Sequence, residues 1–227
     1  MVTTITVASH GKSMTAELYT PTGTQVNGLI VIAYGSDGLT DNLSGPWATM
    51  IKGYAVSLAE KGFTALIPDY LTITNTKPGP GVFSMIPQSR NDWQGAISDA
   101  IGHAMTLSKI DPGRVGLLGF SLGGHLCLRL RAKEKVLVEF FAPVLDGIGS
   151  PGTLTHAQIH HGQADNVPGT AFPNAGIIAD TLKHEGTSTE LFPYPGAGHG
   201  FIGGDKDNTS ARDLSKVRTL SFFQAHL

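Results

Sequence analysis

The chain has a single cysteine, Cys127. One thiol can form neither an internal disulfide nor a thiolate metal cluster, so disulfide-stapled secreted folds and thiolate centres drop out, and a cytoplasmic setting is the expectation. Charge is also scarce. Asp, Glu, Lys and Arg make up 15% of the residues with a formal net charge of -2, which gives neither nucleic acid nor an anionic membrane surface a basic face to bind. Long apolar runs are missing too. Gly28 to Tyr34 and Val136 to Val144 are strand-sized, against the roughly 20 residues that a membrane helix needs. Met1 to Met14 alternates Thr, Val and Ile with polar residues and lacks a basic start followed by an apolar stretch, so no export signal is expected. What remains is 227 residues, 41% of them hydrophobic, enough for one buried core and hence for one domain over residues 1–227.

Thr3 to Ala8 and Met14 to Tyr19 alternate around His10-Gly11-Lys12, the pattern of a hairpin. From Gly28 onward the strands become continuous: Gly28 to Tyr34, Phe63 to Pro68, Arg114 to Phe120, Val136 to Ala142 and Ala157 to His161 read as strands buried on both faces. Between them, Pro46 to Lys61, Asn91 to Ser108, Leu122 to Lys133, Phe172 to Glu185 and Asn208 to Ala225 carry apolar residues at helical spacing. This alternation predicts an α/β fold with a mostly parallel central sheet, helices on both faces, and a site beyond the carboxyl ends of the strands. Leu71 to Gln88, rich in Gly and Pro, reads as the longest irregular stretch and as a border of that site. Only Leu145 to Thr155 separates two strands where a helical lid is often inserted, so no lid domain is expected.

Gly119-Phe120-Ser121-Leu122-Gly123 directly follows a strand and opens a helix. In this G-x-S-x-G context the serine sits on a sharp, strained turn with its hydroxyl above the sheet, and the helix N-terminus favours a developing oxyanion. The alternative is a tight turn with an inert serine. A serine hydroxyl needs a histidine to take its proton and a carboxylate to orient that histidine, in the chain order Ser, acid, His. His184, His199 and His226 lie far enough downstream. His184 falls in a helix and His226 at the C-terminus, whereas His199 occupies the small-residue loop Tyr194 to Phe201 after a strand. For the acid, Asp165 follows the strand ending at Gly162, and Asp146 follows the strand one step earlier. Both stay candidates, Asp165 first by triad order, and a turn or cap role is the plain reading of either.

Gly119 to Gly124, His161-Gly162 with Asp165 to Pro168, Pro68-Asp69-Tyr70 and Tyr194 to Phe201 together resemble the dienelactone hydrolase family over nearly all the chain from Gly28. The resemblance implies an α/β-hydrolase fold with the triad Ser121, Asp165 and His199, no cofactor, and a small-molecule ester as substrate. Members named for dienelactone hydrolysis carry cysteine where this chain has Ser121. They also have a glutamate after the third strand, here Tyr34-Gly35-Ser36, and an arginine soon after the histidine, here Gly200 to Gly204. These departures point to a serine variant of the carboxylesterase kind.

Two donors should face the oxyanion. The Leu122 backbone amide is one, and the resemblance implies the Ser36 backbone amide as the other. Asp37 reads as a turn former. Tyr34, Phe83 and Met85, with Ile86, are candidates for contact with an acyl or alcohol group, ordinary packing being the alternative, and Arg90 reads as solvated. His156, His160 and His161 raise the question of a metal, but adjacent strand residues face opposite ways and no carboxylate cluster accompanies them, so no metal is expected. The same triad serves peptidases, thioesterases and polymer hydrolases, and the fold also hosts binding proteins that have lost catalysis.

Overall fold

The structure, a computed structural model, describes residues 1–131 and 134–227. The chain has an α/β-hydrolase architecture, a mostly parallel sheet with helices on both faces, and it divides into two compact units, Met1–Gly116 and Leu117–Leu227.

In the first unit β1 (Val2–Ser9) and β2 (Lys12–Tyr19) form the expected hairpin, with Ser9 paired to Lys12. The two residues between them, His10 and Gly11, both have positive φ (48° and 71°), the turn whose twist matches a two-residue hairpin. β2 pairs antiparallel with β4 (Thr64–Pro68), and β4 pairs parallel with β3 (Asn27–Ala33). Every residue of β3 is buried, as its unbroken apolar run requires. α1 (Trp47–Glu60) lies against β2, β3 and β4, and α2 (Val82–Ala104) against β1, β3 and β4.

The Leu71 to Gln88 stretch is less irregular than its composition implies. A short 3-10 turn covers Tyr70–Thr74, and α2 begins at Val82, nine residues before the expected start at Asn91 and with Pro87 inside it. Val82, Ile86, Ser89 and Trp93 lie on one face and are all buried. That burial outweighs the hydrogen bond that Pro87 cannot make.

β5 (Ile110–Phe120) runs from the first unit into the second. In the second unit β6 (Val136–Phe140), β7 (His156–Gly162) and β8 (Ser188–Tyr194) are parallel neighbours. β8 alternates exposed and partly buried residues and includes Pro193, which suits a strand at the sheet's edge. α3 (Leu122–Leu130) packs on β6, α4 (Pro173–His184) on β7 and β8, and α5 (Lys206–His226) on β6 and β7. The helix expected over Leu122 to Lys133 ends at Leu130; residues 132 and 133 lie outside the described residues. No helix separates Phe140 from His156, and no described helix is long and apolar enough to cross a membrane. Cys127 is fully buried on α3.

One buried cation fastens the end of α3. Arg131 is wholly buried and pairs with Glu185 through both Nη2 (2.7 Å) and Nε (3.0 Å), while its guanidinium also donates to the carbonyls of Leu128, Ile148 and Gly149. Removing the donor strands a carboxylate and three carbonyls, a loss on the order of 3–5 kcal/mol. Arg131→Leu should therefore lower the midpoint of urea unfolding far more than Arg114→Leu on the exposed start of β5, as read by circular dichroism.

Candidate active site

Ser121 sits between β5 and α3 with φ 51° and ψ −117°, a conformation costly for any residue with a side chain. The surroundings impose it. A β-carbon at Gly119 would lie 2.6 Å from the Gly123 carbonyl oxygen, and one at Gly124 would lie 2.9 Å from the Ala142 side chain, so both glycines are needed for the chain to reverse this sharply. The Ser121 N–H donates to the Phe140 carbonyl at the end of β6 (2.9 Å), and its own carbonyl accepts from His125 N–H at the first turn of α3 (3.1 Å). Leu122 is the first residue of α3, where backbone N–H groups are unclaimed by the helix and point to its N-terminal end.

Asp165 and His199 meet. Asp165 Oδ2 accepts from His199 Nδ1 at 2.8 Å, and Oδ1 accepts from the Val167 N–H at 3.0 Å. The Thr170 hydroxyl lies 3.2 Å from both Asp165 Oδ1 and His199 Nδ1. A second imidazole, His161, approaches the same carboxylate oxygen, with Nε2 at 3.1 Å from Asp165 Oδ2 and 2.7 Å from the Thr170 carbonyl. Burial alone would raise the Asp165 carboxyl, but hydrogen bonds from His161, His199 and Val167 outweigh it and hold the group well below the usual carboxylate range. It stays ionised. Asp146, the other candidate, is mostly exposed and lies 3.8 Å from Arg129.

The histidine loop is fitted to the acid loop with no clearance. Gln163 and Ala164 donate backbone N–H groups to the carbonyls of Tyr194 and Ala197, at 2.9 and 3.0 Å. A β-carbon at Gly162 would lie 2.2 Å from the Ala197 oxygen. Gly196 and Gly200 both have φ 72°, and Asn208 on α5 accepts the Gly198 N–H at 3.1 Å. The Phe141 ring meets His199 edge-on at 4.6 Å between centroids.

Residues 14–227 match the model of the dienelactone hydrolase family. The chain belongs to that family. Among curated proteins it is similar to quorum-quenching protein AidA of Acinetobacter baumannii (strain MDR-ZJ06), 29% identical over 144 residues, or 63% of this chain. The match spans less than half of that relative, 44% of its length. Among solved structures, a dienelactone hydrolase-like promiscuous phosphotriesterase from metagenomic libraries superposes with a TM-score of 0.79 at 18% identity, covering 100% of this chain and 98% of that one. Thermogutta terrifontis esterase 2 phosphorylated by paraoxon gives 0.70 at 19% identity, covering 97% and 94%. At these identities the likeness is one of fold.

The first unit holds further candidate positions, Ser36 through the dienelactone hydrolase resemblance and Tyr34, Asp37, Phe83 and Met85 from their places in the chain. Ser36 lies in a turn closed by Gly38 N–H to the Gly35 carbonyl (3.1 Å), and its own carbonyl accepts from Gly79 N–H (2.9 Å). Asp37 is a turn organiser as expected, accepting from the Ser44 N–H (3.1 Å) and hydroxyl. Tyr34 corrects the expectation of substrate contact. Its ring is wholly buried and stacked on Tyr70 at 4.5 Å, its hydroxyl donates to Asp69 Oδ1 at 2.6 Å, and burial holds that phenol far above its usual range. Phe83 is exposed, Met85 half-buried and Ile86 buried on α2. Near His199 no arginine stands within Gly200 to Gly204, but Arg212 of α5 donates to the carbonyls of Phe201 and Gly203, which occupies its guanidinium with the loop.

His161 and Phe141 went unassigned in the sequence reading. The spacing of His161 and Asp165, four residues across a strand end, is the one signal that could have paired them. His160 and His161 do face opposite ways: His160 engages the Tyr194 hydroxyl (2.7 Å) and Gln158 (2.8 Å). Because the contact at Gly162 is backbone against backbone, Gly162→Ala should cost about 1–3 kcal/mol and displace His199 as well. A drop in melting temperature together with a shift of the His199 amide resonance, both larger than those of a surface Gly→Ala change such as Gly176→Ala on α4, would show it.

Proposed function

We propose that the chain is a serine carboxylesterase for small neutral esters, acting through an acyl-enzyme, with Ser121 as nucleophile, His199 as general base and Asp165 as the orienting acid. The observation that carries this reading is the 2.8 Å contact between Asp165 Oδ2 and His199 Nδ1. An ionised acceptor on Nδ1 keeps the proton there and leaves the Nε2 lone pair to receive the serine proton. As Ser121 Oγ attacks the ester carbonyl, its proton passes to Nε2, and Asp165 stabilises the imidazolium that forms. Charge gathers on the former carbonyl oxygen, where we assign the Leu122 backbone amide as a donor. His199 then gives its proton to the departing alcohol, and the same steps with water release the acid. In this reading the single thiol, Cys127, takes no part, which is consistent with its burial and with a cytoplasmic location.

A second reading follows from the similarity to AidA: the same site would quench quorum sensing by cleaving an ester-type signal. Loss of signal from a quorum-sensing reporter strain on treatment with the enzyme, but not with Ser121→Ala, would select it. The primary reading has its own test on p-nitrophenyl esters. Ser121→Ala and His199→Ala should each lower kcat about a thousandfold or more, with the double variant hardly worse. Asp165→Asn should cost at least a hundredfold, and Asp146→Asn less than twofold. A fluorophosphonate should label wild type at Ser121 by mass spectrometry. Unimpaired hydrolysis by folded Ser121→Ala would end the proposal.

A further inference from the structure

The turn after Asp165 carries a hydroxyl to which the proposed reaction gives no part. The chain there reads Asn166-Val167-Pro168-Gly169-Thr170. Proline at the second place of a four-residue turn and glycine at the third is the composition of a type II turn, whose third residue needs positive φ. Gly169 has φ 87°, and the Thr170 N–H donates to the Val167 carbonyl at 3.1 Å. Asp165 Oδ1 braces the start of the turn by accepting the Val167 N–H at 3.0 Å. The turn thus leaves from Asp165 and returns Thr170 to it. Thr170 is wholly buried, and its carbonyl lies 2.7 Å from His161 Nε2, so main-chain contacts on both sides fix the point from which its side chain projects.

Three polar atoms surround Thr170 Oγ1 at nearly equal range: the Val167 carbonyl at 3.1 Å, and Asp165 Oδ1 and His199 Nδ1 at 3.2 Å each. A hydroxyl has one proton to give and two lone pairs with which to accept. The Val167 carbonyl already takes the Thr170 N–H, whereas Oδ1 belongs to an anion, and a charged acceptor draws a hydrogen bond more strongly than a neutral one. The hydroxyl proton accordingly goes to Oδ1, and a lone pair is left for His199 Nδ1. That Nδ1–H points chiefly at Asp165 Oδ2, 2.8 Å away. A separation of 3.2 Å is at the long end for an N–H donor, so Oγ1 is the minor branch of a forked bond. The three groups close a ring, with Nδ1–H shared between Oδ2 and Oγ1 and the Oγ1 proton returned to the same carboxylate. A lone acceptor leaves an imidazole able to tilt about the hydrogen bond; a fork holds the tilt, and with it the direction of Nε2.

We propose that Thr170 is a positioning residue of the triad: its hydroxyl is a second acceptor for His199 Nδ1–H, which sets the tilt of the ring and keeps the proton on Nδ1. The inference rests on the triad reading above. It leads to an unusual order among variants of Asp165. In Asp165→Asn the Val167 N–H and the Thr170 hydroxyl hold the amide oxygen at the Oδ1 place, which turns the NH2 toward His199 and drives the ring proton from Nδ1 to Nε2. In Asp165→Ala that opposing donor is gone, while Thr170 Oγ1 still accepts from Nδ1. The cruder substitution should therefore leave the better enzyme.

On p-nitrophenyl esters Thr170→Val, which keeps the shape and loses the hydroxyl, should lower kcat about 3- to 10-fold with KM changed less than about twofold, the size of one neutral hydrogen bond. Thr170→Ser should keep kcat within about twofold of wild type, because it retains the hydroxyl. Asp165→Ala should exceed Asp165→Asn in kcat by about tenfold, and Asp165→Ala/Thr170→Val should lose that advantage. Imidazole 15N resonances at about pH 9, where imidazole is ordinarily neutral, read the tautomer of His199. Nδ1 should carry the proton in wild type and in Asp165→Ala, and Nε2 should carry it in Asp165→Asn; removing the Thr170 hydroxyl from Asp165→Ala should shift the proton toward Nε2. A wild-type ring bare at Nδ1, a Thr170→Val enzyme with wild-type kcat, or a loss shared in full by Thr170→Ser overturns the proposal, and none of these arms needs an Asp165 variant to fold. So does a folded Asp165→Ala no more active than Asp165→Asn. Should Ser121→Ala keep full activity, the triad reading fails instead, and the His199 resonances still show whether Thr170 holds the Nδ1 proton.

Discussion

One carboxylate oxygen, Oδ2 of Asp165, accepts from two imidazoles at 2.8 and 3.1 Å. An anion kept out of water is tolerable only when its lone pairs are occupied, and the donors that occupy them come from β7, from the segment after it and from the loop after β8. The arrangement of the second unit follows from this requirement. Parallel β7 and β8 must end side by side for one to deliver Asp165 and the other His199. Gly162 must lack a side chain for the two exits to touch, and Thr170 must fold back to close the remaining oxygen.

Around Ser121 the constraint is steric. Gly119 and Gly124 give the backbone room to bring Ser121 into a left-handed conformation, and strain of this kind persists only where the surroundings over-determine it. Here β6 supplies the surroundings through the Phe140 carbonyl. The same strand then turns at Phe141 to brace His199, so one strand end supports both Ser121 and His199.

Much of this was legible in the sequence. The apolar runs of β3 and β6, the latter interrupted only by Glu139, and the helical spacing between strands carried the fold, since burial on both faces leaves no room for polar alternation. The strand-end positions of Ser121, Asp165 and His199 were legible because glycine-rich turns at strand ends are locally encoded. Less legible was whatever depends on tertiary burial. Pro80 and Pro87 with Gly79 and Gly81 read as a loop, yet the face of Val82, Ile86 and Trp93 found a sheet to cover and drew the chain into α2. Tyr34 read as a site residue because it ends a strand, and only the packing of Tyr70 and Asp69 beside it shows that its hydroxyl is taken. Glu139 gave no local sign at all that its carboxylate would be buried against the Ala142 N–H.

The backbone contact between Gly162 and Ala197 has a consequence for how such enzymes can be altered. Loops are ordinarily the interchangeable parts of a hydrolase, free to lengthen and diversify while the scaffold stays fixed. Here the loops bearing Asp165 and His199 touch main chain to main chain, with no side chain between them to absorb a change. They form a single hereditary unit: a graft or recombination boundary placed between residues 162 and 197 would join two halves shaped for different partners, whereas variation is cheap in the exposed helix positions around Ile177 and Lys183. Diversity in substrate choice must therefore be sought outside this pair of loops.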